Sequence, residues 1–269
     1  MKKIVYRFFI ALIILTFGRI VYLSTIGIKT DKFNSKISNQ IKKIDKNLDI
    51  ELKKVSIILN PFKFKINAKT IGTNLIYGDK IIQLENIKSN ISLKSFIDGK
   101  FSITEINIST KSLDIKNLVS FIRLFRNNAK IYIAEQLIEK GYVIADIKIE
   151  FDELGNINNN YRVNGLVKEG KINLFKKVNL DKINFIFNIH KNNIQINNLE
   201  LSLNDKNILI PEITAKEKDD KFLVSGKVNH KNITLDKKDI SYFIEADILN
   251  LDIKEINFKS ENNFNFNLD

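Results

Sequence analysis

The sequence predicts a mainly β fold: an N-terminal transmembrane helix and an amphipathic helix, followed by a long antiparallel, twisted β-sheet with one short helical insertion. Three observations support this fold class. They are an apolar run at the N-terminus, a short stretch of helical periodicity after it, and alternation of apolar and polar residues from Ile50 onwards. We therefore expect a membrane anchor over residues 1–29, an amphipathic helix over 30–49 and an elongated sheet domain over 50–269.

Residues 4–28 form an apolar segment that only two charges, Arg7 and Arg19, interrupt. A helix needs about 20 residues to cross a bilayer, so the segment is long enough to span one. A cleaved signal peptide has a similar basic start and apolar core, but no A-x-A-like cleavage site follows here. We expect a retained anchor whose apolar core consists of Phe8, Phe9, Ile10, Leu12, Ile13, Ile14, Leu15 and Phe17.

Residues 32–48 carry an apolar stripe at helical spacing, while lysines occupy the other face. The stripe consists of Phe33, Ile37, Ile41, Ile44 and Leu48. Each lysine near an anionic membrane surface contributes about 1 kcal/mol of attraction, so the helix is suited to lie on a membrane. Packing of the same stripe against the end of a sheet explains the pattern equally well.

The remainder reads as strands joined by short polar turns, which predicts antiparallel hairpins. Residues 143–151 alternate most strictly, with Val143, Ala145, Ile147 and Ile149 on one side and charged residues between them. Such a strand has one dry and one wet face. The alternation recurs in later segments, among them residues 240–248. It slips by one residue within 103–106 and within 196–199, and these slips predict β-bulges.

One interruption is helical. Leu118, Phe121, Ile122 and Phe125 repeat at helical spacing within residues 116–128, and a further helical turn is expected around 135–139. These short helices can cover only a small part of roughly a dozen strands. The dry face therefore either closes on itself as a sandwich or barrel core, or stays open as a trough that a ligand fills.

The composition argues against several other functions. The 269 residues include no cysteine, and the sequence contains none of the common nucleotide-binding or hydrolase motifs. His190 and His230 both fall in polar turns, as expected for exposed residues. The net charge is +12, yet lysine alternates with Asp, Glu and Asn along the strands instead of forming a stripe among exposed aromatics. We expect no enzyme activity, no cofactor, no metal and no nucleic-acid partner.

The order of elements carries a family resemblance. A strand ends in Asn60-Pro61-Phe62, residues 87–115 read IKSNISLKSFIDGKFSITEINISTKSLDI, and later hairpins contain FDELG at 151–155 and YRVNG at 161–165. In these features the chain resembles the N-terminal portion of the AsmA-like family. That bacterial group includes TamB-like and YhdP-like proteins and is similar to the chorein end of eukaryotic bridge-like lipid transfer proteins.

The resemblance implies a single-pass anchor in the bacterial inner membrane, a periplasmic body and a role in outer-membrane biogenesis. It also implies that the sheet is groove-shaped, like a taco, and that its apolar inner face carries phospholipid or other acyl chains between the inner and outer membranes. Outer-membrane or other envelope proteins are the partners expected at the far end. Family members usually run longer, and residues 264–269 stop in mid-alternation, so we expect either a short member or a fragment.

The phase of the alternation gives the candidate groove-lining residues, which are Ile147, Ile149, Phe151, Val163, Phe185, Phe187, Leu201, Leu203 and Val224. An ordinary sandwich or barrel core would use the same positions. Two other functions also fit the pattern. One is a subunit resembling the bitopic β-jelly-roll component of lipopolysaccharide export, and the other is a membrane-anchored structural or assembly protein that binds partners through a sheet edge.

Overall fold

A computed structural model describes residues 2–32, 34–98, 102–125, 128–158, 160–174, 178–203, 206–218, 221–236 and 255–268. The chain divides into two compact units. Unit 1 contains Met1–Lys111 and Ala145–Arg162, and unit 2 contains Ser112–Ile144 and Val163–Asp269.

All helices among the described residues lie between Lys2 and Leu137. They are α1 (Lys2–Thr25), α2 (Asn34–Ile44), α3 (Leu93–Ile97), α4 (Ile115–Phe125) and α5 (Ala129–Leu137). The strands are β1 (Ile28–Thr30), β2 (Leu48–Glu51), β3 (Val55–Asn60), β4 (Lys65–Ile71), β5 (Asn74–Tyr77), β6 (Lys80–Ser92), β7 (Ile103–Thr110), β8 (Leu113–Asp114), β9 (Ile138–Glu150), β10 (Arg162–Leu174), β11 (Val178–His190), β12 (Asn193–Leu203), β13 (Lys206–Lys218), β14 (Lys221–Asp236) and β15 (Glu255–Leu268). The strand alternation predicted for 240–248 lies outside the described residues.

The strands form one large open sheet, and the pairings whose register is defined are all antiparallel, as the short turns predict. Its order is β1-β3-β4-β6-β7-β9-β10-β11-β12-β13-β14-β15, while β2 pairs with β5, β5 with β6, and β8 with β9. Most neighbours in this order are also consecutive in the chain. The mainly β fold class is thereby confirmed.

Both predicted bulges are confirmed by the register. Strand β7 has an extra residue opposite β6, because Asn90 pairs with Glu105 while Ile91 pairs with Ile103. Strand β12 has an extra residue opposite β11, between Asn197 and Glu200, and Asn198 there has a φ of 52°. An extra residue moves the alternation by one step and increases the local twist.

Helix α1 ends where Gly27 begins the turn into β1. The amide groups of Ile26 and Gly27 both donate to the carbonyl of Tyr22, and Gly27 has a φ of +71°. A Cβ on Gly27 would lie 2.4 Å from the Ile57 carbonyl oxygen and 2.9 Å from Cγ1 of Ile58. Only glycine therefore lets the chain leave α1 and pass this close to β3.

Helix α2 packs against β2, which agrees with the sheet-end interpretation of its apolar stripe. Asp49 of β2 accepts a hydrogen bond from the Ser38 hydroxyl at 2.5 Å and forms an ion pair with Lys42 at 2.8 Å. The predicted helical stripe is wrong at Leu48, which begins β2 and is buried. A turn separates the two elements, because the Asp45 side chain accepts the Asn47 amide and so draws the backbone out of the helix.

We expect Asp49→Asn to lower the free energy of unfolding at neutral pH. The hydrogen bonds and charge of Lys42, aided by Ser38, lower the pKa of Asp49 from 3.8 to about 2. The ionised carboxylate thus stabilises the fold above pH 3.8, and this contribution disappears as the pH falls through about 2. Because the side chain is 38% exposed, solvent screening limits the effect to about 1 kcal/mol.

Urea unfolding of both proteins in nonionic detergent, at neutral pH and near pH 2, measures this difference. Asp79→Asn, which changes an exposed carboxylate in a turn, is the matched control and is expected to have no effect. If the free energies of unfolding of the Asp49 variant and the parent differ as much near pH 2 as at neutral pH, the ionised Asp49 carboxylate is not the source of the stabilisation.

Two helices occupy the interruption predicted near 116–140. Helix α4 holds Phe121 on its buried side, and Arg123 joins it to Glu135 of α5 at 2.6 Å. The prediction of a helical turn around 135–139 is wrong in position, because α5 begins at Ala129 and β9 already starts at Ile138. The Asn128 side chain accepts the Ile131 amide as an N-cap and so fixes the earlier start.

Candidate lipid-binding face

The register of β3, β4, β6, β7 and β9 brings aliphatic side chains together on one face of unit 1. Residues directly opposite one another on paired strands share a face, and Ile87, Ile108 and Ile147 stand in one such row. We call this surface the unit 1 apolar face, and it comprises Ile57, Leu59, Ile66, Ile87, Ile91, Ile106, Ile108, Ile147 and Ile149.

All nine members of the unit 1 apolar face are only half-buried. Fully buried apolar side chains in this unit are Leu48, Ile50, Ile82 and Leu84 around the short strands next to α2, together with Val55 at the start of β3. Aliphatic residues beneath a second protein layer are normally buried completely. The face therefore keeps apolar surface that the described residues of unit 1 leave accessible.

Unit 2 has a comparable set of apolar side chains. Direct pairing across β11, β12, β13 and β14 aligns Phe187 with Ile196, Ile196 with Ile213, and Ala215 with Val224. Val224 is buried, whereas the others are half-buried. Unit 2 also contains helices α4 and α5, and its fully buried apolar side chains include Leu113, Phe121 and Val143.

Two phenylalanine rings of unit 2 lie against glycines on neighbouring strands. A Cβ built on Gly165 of β10 would stand 2.5 Å from Cζ of Phe187, and one on Gly226 of β14 would stand 2.5 Å from Cζ of Phe264. Phe187 also contacts Phe185, with ring centroids 6.2 Å apart. These rings fill the space that the glycines leave open, so part of their surface is already used by the sheet.

The predicted lining residues fall into two groups. Ile147 and Ile149 belong to the unit 1 apolar face, and Phe151 follows them just after β9, in a bridge with Ile157. The unit 2 group comprises Val163 in β10, Phe185 and Phe187 in β11, Leu201 and Leu203 in β12, and Val224 in β14. Within it, Leu203 stands opposite Leu180 and Leu201 opposite Ile208.

The predicted lining residues include only Ile147 and Ile149 of the unit 1 apolar face and leave out the members that β3, β4, β6 and β7 supply, among them Ile57, Leu59 and Ile66. The odd-numbered apolar residues of β3 and the even-numbered ones of β4 face the same way only because of how the two strands pair. The alternation in the sequence predicts that each strand has an apolar side and a polar side. Only the register of the strand pairing identifies which residues of neighbouring strands lie side by side.

The opposite side of unit 1 is polar and partly ion-paired. Lys148 contacts Glu150 at 2.9 Å and Glu105 at 3.1 Å. Burial works against ionisation of Glu105, but hydrogen bonds from Asn107 and Lys148 nevertheless hold its pKa below the ordinary value. Hydrogen bonds to Glu150 and Glu105 raise the pKa of Lys148. A cavity of about 490 Å³ lies on this polar side.

Helix α1 is the candidate membrane-spanning element. Its segment Lys3–Thr25 is long and apolar enough to span a membrane, and the residues of its most apolar stretch are not buried against the described part of the protein. The predicted anchor core Phe8, Phe9, Ile10, Leu12, Ile13, Ile14, Leu15 and Phe17 is exposed throughout. A long exposed apolar surface of this kind is typical of a segment that contacts a membrane or another apolar partner.

Among the residues that the structure describes, no group of three or more His, Asp or Glu side chains is placed to hold a metal ion. Comparison of the chain with protein-family models, with curated proteins and with solved structures finds no match. The functional assignment therefore depends on the geometry of the sheet faces and of α1.

Proposed function

We propose that this protein is a membrane-anchored lipid-binding protein that carries phospholipid acyl chains along the apolar face of its β-sheet. The observation that carries this proposal is the unit 1 apolar face, whose nine aliphatic side chains are aligned by register and yet only half-buried. The exposed apolar surface of α1 supports a location at a membrane.

The energetics of an acyl chain on such a face are favourable. Each methylene removed from water contributes about 0.8 kcal/mol. The backbone amide and carbonyl groups of β3, β4, β6 and β7 are already paired with one another, so an acyl chain lying on them leaves no unsatisfied polar group. Binding and movement along the face require no catalytic residue and no cofactor.

The wider proposal follows from the family resemblance. Helix α1 anchors the protein in the bacterial inner membrane, the sheet lies in the periplasm, and the lipid moves between the inner and outer membranes during outer-membrane biogenesis. The apolar side of the sheet is groove-shaped in this proposal. Envelope proteins at the far end receive or supply the lipid.

Site-specific photo-crosslinking tests the lipid contact directly. A photoreactive phenylalanine analogue at Ile147 is expected to crosslink to phospholipid when the full chain is purified in nonionic detergent with added lipid. The same analogue at Asp146, one residue away on the polar face, is the matched control and is expected to give little crosslinking. The measurement is the mass of the crosslinked product.

Equal crosslinking at Ile147 and Asp146 would contradict the proposal, as would its absence at both positions. Absence at both positions, together with a folded and lipid-free protein, would instead favour a structural or assembly protein. Strand β15 stands at the end of the strand order and is the first place to look for a protein partner in that case.

A further inference from the structure

A row of lysines crosses the polar face of unit 1, starting next to the end of α1. Lys29 pairs with Ser56, Ser56 with Lys69, and Lys69 with Lys88. Directly paired residues share a face, so Lys29, Lys69 and Lys88 belong to one straight row, which we call the lysine row. It lies on the side opposite the unit 1 apolar face.

No ion pair between the lysine row and a described carboxylate balances its charges. Lys69 and Lys88 stand directly opposite each other on β4 and β6, an arrangement of like charges that destabilises a sheet. All three side chains are exposed, and the described residues offer them no carboxylate within ion-pair distance. Lys148, two strands beyond Lys88, differs because Glu105 and Glu150 neutralise it.

The polar-face cavity adds two more lysines to this surface. Its lining includes Lys69 and Lys88, together with Lys63 and Lys65, and its other polar groups are asparagines and serines. With a volume of about 490 Å³ it is large enough for a phospholipid headgroup. Asn90 and Asn107 donate their side-chain amides to Glu105, so the four lysine ammonium groups supply the main attraction for a phosphate, which lysine binds as a point charge.

The lysine row begins at the membrane end of the unit. Lys29 follows the last residue of α1, Thr25, by four positions, and Ile58, which lines the cavity, lies beside Gly27 at the turn out of α1. Neighbouring strands are about 4.8 Å apart, so Lys88, three strands from β1, is about 14 Å away from it. At physiological salt the Debye length is about 8 Å, so the field of a membrane surface is largely screened over this distance and Lys88 acts only on a phosphate that enters the cavity.

We propose that the lysine row and its cavity bind the phosphate groups of anionic phospholipids in the leaflet at which α1 leaves the membrane. The headgroup contact is separate from acyl-chain binding, because it uses the opposite face of the sheet. The headgroup contact holds the part of the sheet nearest to α1 against an anionic membrane surface. An anionic headgroup also relieves the repulsion between Lys69 and Lys88.

Native mass spectrometry of the full chain in nonionic detergent tests this site. Dioleoylphosphatidylglycerol and dioleoylphosphatidylcholine are titrated separately, and the ratio of their dissociation constants isolates the headgroup, because their acyl chains are identical. The parent protein is expected to prefer the anionic lipid. Lys69→Gln with Lys88→Gln is expected to reduce this preference about 25-fold, or about fivefold for each lysine removed.

Lys168→Gln with Lys216→Gln removes the same charge from exposed positions of unit 2 and is expected to leave the preference unchanged. Thermal unfolding provides a second readout, because removing the Lys69 and Lys88 pair is expected to preserve or raise the melting temperature. If the Lys69 and Lys88 variant loses affinity for phosphatidylglycerol and phosphatidylcholine equally, the change affects acyl-chain binding and not this site. That result would overturn the headgroup assignment.

An unchanged preference in the Lys69 and Lys88 variant would also overturn the proposal, as would an equal loss in the unit 2 control. In a final experiment, excess inorganic phosphate is added to the protein with bound phosphatidylglycerol. Retention of phosphatidylglycerol in its presence supports a lipid-headgroup site. Full displacement would assign the cavity to a free anion.

Discussion

Ile66→Asp is expected to weaken phospholipid binding by at least about 100-fold while leaving the protein folded. Ile66 of β4 stands between Leu59 and Ile91 on the unit 1 apolar face. A carboxylate there would lose its water when an acyl chain covers it, at a cost of about 3 kcal/mol or more, which corresponds to that decrease in affinity. Dioleoylphosphatidylcholine is the suitable lipid, because its headgroup carries no net charge.

The same variant distinguishes an open face from a closed core. On an open face the carboxylate stays in water in the lipid-free protein, so we expect the free energy of unfolding to change by about 1 kcal/mol or less. In a sealed core the change would reach several kcal/mol. Gln83→Glu adds the same charge at an exposed position of β6 outside the polar-face cavity and is expected to retain phosphatidylcholine binding.

Unfolding of the Ile66 variant, or equal lipid loss in the Ile66 and Gln83 variants, would rule out the open face. Dissociation constants from native mass spectrometry and urea unfolding curves provide the two measurements. Both are made on the full chain in nonionic detergent.

Gly165→Ala is expected to destabilise the protein by about 3 kcal/mol, because the added methyl group overfills a closely packed site. Its Cβ would lie 2.4 Å from the Ile144 carbonyl oxygen, 2.5 Å from Cζ of Phe187 and 2.8 Å from Cε1 of the same ring. The ring can rotate or shift, but the carbonyl belongs to the neighbouring strand and cannot move without disturbing the ladder.

Gly18→Ala is the matched control, because nothing lies within 4 Å of a Cβ at that position in α1. We expect no loss of stability in the control. The double variant Gly165→Ala with Phe187→Ala separates the contact with the Ile144 carbonyl from the contact with the Phe187 ring. We expect it to recover only the part of the lost stability that comes from the clash with the ring. Thermal and urea unfolding measure both effects, and a stable Gly165→Ala protein would show that the ring does not seal this position.

Local patterns in the sequence predicted much of the fold. The apolar run marked α1, the alternation around Ile147 marked β9, and the phase slip between Ile196 and Leu199 marked a bulge that the register confirms. Each of these signals is contained within about ten residues. The helical spacing of Leu118 and Phe121 likewise marked the segment that forms α4.

Features that depend on distant partners were not predictable in this way. Leu48 matched the phase of the preceding helix, but pairing with Tyr77 of β5 places it in a strand. Strand β1, within the stretch assigned to the anchor, exists through its pairing with β3. The lysine row is a further example, because Lys29, Lys69 and Lys88 come together only through three successive registers. Sequence periodicity describes one strand and contains no information about its neighbours.

The short connection between α1 and β1 has a mechanical consequence. Only Ile26 and Gly27 separate the two elements, so the Cα atoms of Thr25 and Ile28 are at most about 11 Å apart. In the proposed arrangement the hydrogen-bonded ladder therefore starts at the bilayer surface, without a flexible stalk in between. A lipid leaving the leaflet would meet the first strands almost at once and would have little open water to cross.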